Sequence, residues 1–323
     1  MMEEKELKEA ADLIRRRKKF LVACHVRPDG DTLGSALALA NALRQLGKDT
    51  VVVSADGVPE IYSFLPDGED ILKETSERAF DVAIVIDCDG IDRVGPALDA
   101  VKSARKVISI DHHTNSPPFG DIGLYNTEAA ASGEIVLDLI DRLGVTLDER
   151  MAICLMTALV SDTGAFRFPN VTPRTFLFAA GLTAAGASAS HIARLVYENR
   201  SLASARLMGI ALAGLKVDKG GDLVWSVLSR EDFEKTGAAD ADTEGVINHI
   251  MAVKGARVGL LFREAPDGPA IVSLRSRDSI DVSKVARAFG GGGHAAAAGC
   301  IISASLPEAE RMALEEARKW MES

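Results

Sequence analysis

Short apolar runs alternate with longer segments of helical spacing between residues 18 and 170. Phe20–Val26, Thr50–Ser54, Val82–Asp87 and Val107–Asp111 predict strands, while Leu33–Leu46 and the stretch from Asp148 to Val160 predict helices. Strands that read as continuous Val/Ile runs belong to a mostly parallel sheet covered by helices on both faces. Upstream, Leu7, Ala10, Ala11 and Ile14 recur at the spacing of one helix face. Residues 186–205 lose the alternation and read as a linker containing a helix. Beyond them, Leu223–Leu228, Val258–Arg263 and Ala270–Arg275 predict further strands, and a glycine run, Gly290–Gly293, interrupts the last part. The class is α/β: an N-terminal mostly parallel sheet flanked by helices over residues 1–187, a linker over 188–205, and a smaller C-terminal α/β domain over 206–323. Two cores suit the length of 323 residues, since single cores divide beyond roughly 250–300 residues.

Three of the predicted strands run straight into polar clusters, FLVACHVRPDGD, VAIVIDCD and VISIDHH. In open α/β sheets ligands bind beyond the carboxyl ends of the strands, so these clusters should meet at one edge. His25, Asp29 and Asp31 fall within seven residues, between a strand and a helix. Imidazole with carboxylates suits Mn²⁺ or a similar oxygen-preferring ion; the alternative is an Asp-rich turn capping the helix. Asp87 ends a buried strand, where a lone carboxylate is costly unless paired or bound to a cation. A bridging ligand fits there, and so does a salt bridge with Arg93. Asp89 points less directly at the site. Asp111, His112 and His113 are three titratable residues in a row at a strand end, hard to accommodate as packing. Asp162 follows an apolar helix, MAICLMTALV, where the helix dipole disfavours a carboxylate and a local cation would relieve it. Six ligands, His25, Asp29, Asp31, Asp87, His112 and Asp162, suffice for two metals sharing Asp87, the arrangement that hydrolyses phosphoesters.

Charge narrows the substrate. Lys plus Arg number 37 against 47 Asp plus Glu, a formal net charge of −10. This argues against a partner such as long duplex DNA, which needs a broad basic face; bound cations can still attract a small anion. The four cysteines, Cys24, Cys88, Cys154 and Cys300, are scattered and read as reduced thiols. No apolar run approaches the roughly 20 residues that span a bilayer. A cytoplasmic protein without a membrane partner is the expectation.

The motifs HVRPDGD, VIDCD, DHH and SDTG, in this order, resemble the four motifs of the DHH phosphoesterase superfamily, and Gly290-Gly-Gly-Gly-His294 resembles the signature of the DHH-associated domain. The resemblance implies that His25, Asp29 and Asp87 bind one Mn²⁺ and Asp31, Asp87, His112 and Asp162 the other, with Mg²⁺ or Co²⁺ as substitutes. It makes His113 a catalytic residue facing the substrate phosphate and Asp111 the partner that orients a histidine. Arg275, Gly292, Gly293 and His294 are the expected substrate-binding residues: glycines let the backbone approach anionic oxygen, and a guanidinium grips phosphate with two hydrogen bonds. Arg93, Asn115, Ser132 and Arg167 lie near the motifs and are able to contact phosphate or order a ligand; His191 and His249 read as structural. The two-domain layout resembles the nanoRNase-like branch, which implies short single-stranded oligonucleotides or adenosine 3′,5′-bisphosphate as substrates and a homodimer. Cyclic di-AMP or linear dinucleotide phosphodiesterase, inorganic pyrophosphatase or exopolyphosphatase, and a non-enzymatic nucleotide sensor are the competing readings.

Overall fold

The computed structural model describes residues 4–113, 118–218, 220–265, 268–277 and 280–321. The chain divides into two compact units, Met1–Asn199 and Arg200–Ser323.

The first unit runs α1 (Glu4–Arg16), β1 (Lys19–Ala23), α2 (Gly30–Gln45), β2 (Asp49–Val53), β3 (Val82–Ile86), α3 (Leu98–Ser103), β4 (Val107–Asp111), β5 (Ile122–Tyr125), α4 (Ser132–Leu143), α5 (Glu149–Asp162), α6 (Pro173–Ala184) and α7 (Ala189–Tyr197). Its five strands are all parallel, in the order β2-β1-β3-β4-β5. Every residue of β3 is buried, because side chains alternate between two covered faces. Phe20, Val22, Ile84, Ile86, Ile108 and Ile110 point to the larger core, shared with α1, α2, α4 and α5. Leu21, Ala23, Ala83 and Val85 point to the smaller one, with Phe80 and residues of α3. This is the mostly parallel, helix-covered sheet expected from the apolar runs; the fifth strand and α4 were not anticipated.

Two glycines let α2 lie close against α5. A Cβ on Gly34 would sit 2.2 Å from the Cys154 carbonyl oxygen, and one on Gly30 would sit 1.9 Å from Ser161 Oγ. Both are below any real contact, so the two helices approach as only glycine permits. The start of α2, with Asp29 and Asp31, is thereby laid beside the end of α5, with Asp162.

The second unit contains α8 (Leu202–Ala213), β6 (Lys216–Val217), β7 (Leu223–Leu228), α9 (Arg230–Thr236), α10 (Val246–Ile250), β8 (Val258–Glu264), β9 (Ala270–Ser276), α11 (Val282–Arg287), β10 (Gly292–His294), β11 (Ala297–Ile302) and α12 (Leu306–Met321). Its sheet, β10-β11-β9-β8-β7-β6, is mixed, with β7 and β8 parallel and the other pairs antiparallel. Among the described residues no single helix is long and apolar enough to cross a membrane, and the apolar pair α6 and α7 is bent by 104°.

Candidate metal centre

Each strand end delivers its polar residues to one edge of the first sheet. Past β1 comes His25, past β3 comes Asp87, and past β4 come His112 and His113; the chain order is thus converted into a cluster by parallel register alone. Asp29 caps α2, its Oδ1 accepting from the backbone N–H groups of Asp31 and Thr32 at 3.1 and 3.0 Å.

Asp31 is fully buried and sits where the first turns of α2 and α4 converge. Its Oδ2 accepts from Ser132 N at 2.7 Å, and its Oδ1 from Gly133 N and Ser35 Oγ at 3.0 Å each. The positive ends of two helix dipoles favour its charge. Asp87 accepts from Thr32 Oγ1 at 2.9 Å and Ser132 Oγ at 3.0 Å. Its φ of 56° places a non-glycine residue in the left-handed region, strain of the kind that clusters at functional sites.

Backbone carbonyls orient two imidazoles. His25 Nδ1 lies 2.8 Å from the Val26 carbonyl oxygen and His112 Nδ1 lies 3.1 Å from that of Ala129. A carbonyl can only accept, so Nδ1 carries the proton in each neutral ring and Nε2 keeps its lone pair. The Arg93 guanidinium is also near His25 Nδ1, at 3.4 Å, but the carbonyl is closer and a nitrogen already donating cannot accept from it. Both Nε2 atoms turn into the carboxylates: His25 Nε2 is 3.8 Å from Asp87, and His112 Nε2 is 3.6 Å from Asp87, 3.7 Å from Asp31 and 3.0 Å from Asp162. Among the described residues His112 Nε2 is buried yet has no aligned hydrogen-bond partner. His113 is turned by Asp111, whose Oδ1 accepts from its Nδ1 at 2.7 Å and from the N–H groups of His112 and His113.

Among the described residues, none of Asp29, Asp31, Asp87 and Asp162 is paired with Lys or Arg. The titration shifts register that crowding. Burial pushes Asp29 up to about 6, with Asp87 and Asp162 adding to it, and drives Asp31 well above the carboxylate range with the same two neighbours contributing. Burial also opposes the charge of Asp87, but His25, His112 and His113 hold it below its ordinary value. Burial opposes the charge of His112, and the Asp162, Asp31 and Asp87 carboxylates nonetheless raise it to about 11. At that Nε2 a proton and a metal ion are alternatives.

The ligating atoms fall into three groups able to hold a cation: His25, Asp29 and Asp87; Asp31, His112 and Asp162; and Asp87, His112 and His113. All six sequence-derived ligands are in these groups, along with His113. The donors are imidazole nitrogen and carboxylate oxygen, a set that fits hard to borderline divalent ions. Nearby thiols are unsuited: burial pushes Cys88 up to about 11 and Cys24 beyond that range. Buried carboxylates without a fixed countercharge, and lone pairs aimed among them, fit a bound cation.

The sequence pattern of the DHH family, N-terminal domain, matches residues 19–159, and that of the DHHA1 domain matches residues 220–323. The chain is 33% identical over 301 residues to the bifunctional oligoribonuclease and PAP phosphatase NrnA of Thermus thermophilus, covering 92% of this chain and 89% of that protein. The chain belongs to the DHH family. It is, accordingly, a hydrolase acting on phosphoester bonds. A manganese-dependent inorganic pyrophosphatase of Methanothrix thermoacetophila is 30% identical, but over 47% of this chain and 50% of that one. The crystal structure of an exopolyphosphatase-related protein from Bacteroides fragilis superposes with a TM-score of 0.93 at 26% identity, covering 99% and 97% of the two chains.

In the DHHA1 domain, Arg275 on β9 pairs with Ala297 on β11, which pairs in turn with His294 on β10, so these three positions form one row across the sheet. Arg275 is largely buried, which lowers its affinity for a proton, and it donates to the Leu274 carbonyl at 3.1 Å. The glycine run divides. A Cβ on Gly291 would sit 2.3 Å from the Gly299 carbonyl oxygen, and one on Gly293, at φ 137°, would sit 2.5 Å from that of Ala297. The hairpin itself requires those two, while Gly292 is exposed with open space around it.

The remaining candidates scatter. Ser132 is fully buried and holds Asp31 and Asp87. Arg93 pairs with Asp89 at 3.0 Å, so the salt bridge weighed for Asp87 goes to its neighbour. Arg167 donates to the Gly164 carbonyl and lies over the Tyr197 ring. Asn115 lies outside the described residues. His191 lies in the first turn of α7 and His249 in α10 of the second unit, and neither is among the three ligand groups. Sequence reasoning missed Thr32, whose hydroxyl reads as part of a helix start but bonds Asp87.

Proposed function

We propose that the chain is a Mn²⁺-dependent phosphoesterase that hydrolyses short oligoribonucleotides and adenosine 3′,5′-bisphosphate with two metal ions. One observation carries the reading: two imidazoles locked by backbone carbonyls aim their Nε2 atoms into a set of carboxylates that no Lys or Arg neutralises among the described residues. His25, Asp29 and Asp87 would hold one ion, and Asp31, Asp87, His112 and Asp162 would hold the other. Mg²⁺ or Co²⁺ can substitute. When bound, such a pair supplies Lewis-acid activation of the phosphoryl group and of water.

The chain does the rest by holding groups still. Thr32 and Ser132 fix both oxygens of Asp87 through hydroxyl donors. Asp111 fixes the ring of His113 and, by hydrogen bonding to it, raises its affinity for a proton. His113 is thereby kept as a catalytic donor to an anionic phosphoryl oxygen. Arg275, Gly292, Gly293 and His294 of the DHHA1 domain bind a second part of the substrate, a guanidinium and open backbone N–H groups being suited to phosphate. Similarity to the oligoribonuclease and PAP phosphatase along both domains, against half the chain for the pyrophosphatase, favours nucleotide substrates.

The test is product analysis of the purified protein with Mn²⁺ and, side by side, a 5-mer RNA, adenosine 3′,5′-bisphosphate, cyclic di-AMP and pyrophosphate. Mononucleotides from the RNA and AMP from the bisphosphate are expected. Hydrolysis of pyrophosphate alone would replace this reading with the pyrophosphatase one, and cleavage of cyclic di-AMP alone with the cyclic dinucleotide one.

A further inference from the structure

Outside the ligand groups, one side chain touches two of the segments that shape the second metal position. Asn170 Nδ2 donates to the Ala130 carbonyl oxygen at 3.0 Å and to the Asp162 carbonyl oxygen at 3.1 Å. Both partners are pure acceptors, which fixes the orientation of the amide. Its Oδ1 is buried with no hydrogen-bond partner among the described residues, an unfavourable state that packing alone gives no reason to bear.

The two bonds close a ring. Asp162 approaches His112 Nε2 at 3.0 Å, His112 Nδ1 donates to Ala129, Ala130 follows in the chain, and Asn170 ties Ala130 back to Asp162. The segment so held also leads into Ser132 and Gly133, whose N–H groups hold Asp31. Among the described residues no hydrogen bond of this ring runs to His25 or Asp29; the two positions communicate through Asp87, which Ser132 holds, and through the charge of Asp162 on Asp29.

We propose that Asn170 is a positioning residue that sets the spacing of the Asp31–His112–Asp162 metal position and acts far less on the His25–Asp29 position. The inference rests on the two-metal reading above. Partners beyond the ligands of this kind are worth roughly 10–100-fold in metal affinity, because they fix where a ligand atom sits before the ion arrives.

The experiment is Mn²⁺ titration of the full chain, followed by the electron paramagnetic resonance signal of the free ion, with thermal unfolding of the metal-free protein alongside. The parent is expected to bind two ions. Asn170→Ala should weaken one by roughly 10–100-fold and leave the other, with the metal-free melting temperature close to the parent's. Asn170→Ser, which keeps one short donor, should recover part of the loss; if Asn170→Ala does not fold, weakening of one ion alone in the serine variant serves as the same test. Two undiminished ions in the variants would overturn the proposal. So would equal weakening of both ions in step with a fall in metal-free stability, the mark of a general structural role. A parent that binds no Mn²⁺ would instead defeat the two-metal reading on which it rests.

Discussion

The edge of the parallel sheet and the glycine hairpin of the DHHA1 domain are both rich in groups suited to phosphate chemistry, but they are built in opposite ways. At the sheet edge the side chains are immobilised by the protein itself: Asp31 accepts three hydrogen bonds and Asp87 two, and all three imidazoles of the site are held through Nδ1. In the hairpin, half of the glycine run is used to let the strands close, and on the neighbouring strand Arg275 donates to the carbonyl of Leu274 beside it in the chain. A preorganised site suits the reacting centre, where charge must be met without rearrangement. A guanidinium in a sheet row beside open backbone suits binding of substrates that differ in length. The sheet edge should therefore govern turnover, and the hairpin should govern affinity.

Removing the shared ligand is the most severe way to strain that division. Asp87→Asn keeps the shape but not the charge, and kcat should fall by more than about 10³-fold on every substrate, beyond the effect of losing a single transition-state donor, with circular dichroism unchanged. Activity near the parent's would remove Asp87 from the centre altogether. Metal itself should come next: Mn²⁺ at one hundred times its Kd should stabilise the fold by about 2.7 kcal/mol, seen in denaturant unfolding and reversed by a chelator. Unfolding indifferent to Mn²⁺ would mean that the carboxylates serve only one another.

Arg275→Ala probes the other region. Loss of a charged hydrogen bond is worth about 1.5–3 kcal/mol, so KM for the 5-mer should rise roughly 10–100-fold while kcat holds. A fall in kcat at constant KM would erase the contrast between the two regions. The mildest effect is expected from Gly34→Ala, where the added methyl meets the Cys154 carbonyl oxygen at 2.2 Å. Overpacking of this kind costs about 1–3 kcal/mol, measurable as a lower denaturant midpoint. An unchanged midpoint would mean that α2 and α5 separate without penalty.

Much of the sheet edge could be read directly from the sequence, because a parallel strand that ends in His or Asp has one place to put it. The run HVRPDGD, Asp87, His112 and Asp162 were all found by following apolar segments to their polar ends, and the structure brings them together. What escaped was the support. Thr32 looks like an ordinary residue of a helix start, and Ser132 was marked only as able to contact phosphate or order a ligand; the fold shows that both hydroxyls reach across to Asp87. Asn170 follows Pro169 in a turn and carries no periodic signal. Strand β5, Ile-Gly-Leu-Tyr, is too short and too interrupted by glycine to stand out. The glycine run misled in part, since four consecutive glycines suggest approach to a ligand, while a collision between Gly291 and the Gly299 carbonyl exists only once the hairpin has formed.

The carbonyls of Val26 and Ala129 that hold the two imidazoles belong to the main chain, and every amino acid supplies the same oxygen. No single substitution at either position can delete the acceptor, so this part of the centre is insulated from point mutation in a way that Asp111, which holds His113 through a side chain, is not. Variation at residues 26 and 129 is then limited by the space around them and by the N–H groups they donate to the Arg93 and Asn126 carbonyls. A lineage could drift at both positions and keep its metal chemistry, whereas a change at 111 would have to be answered elsewhere.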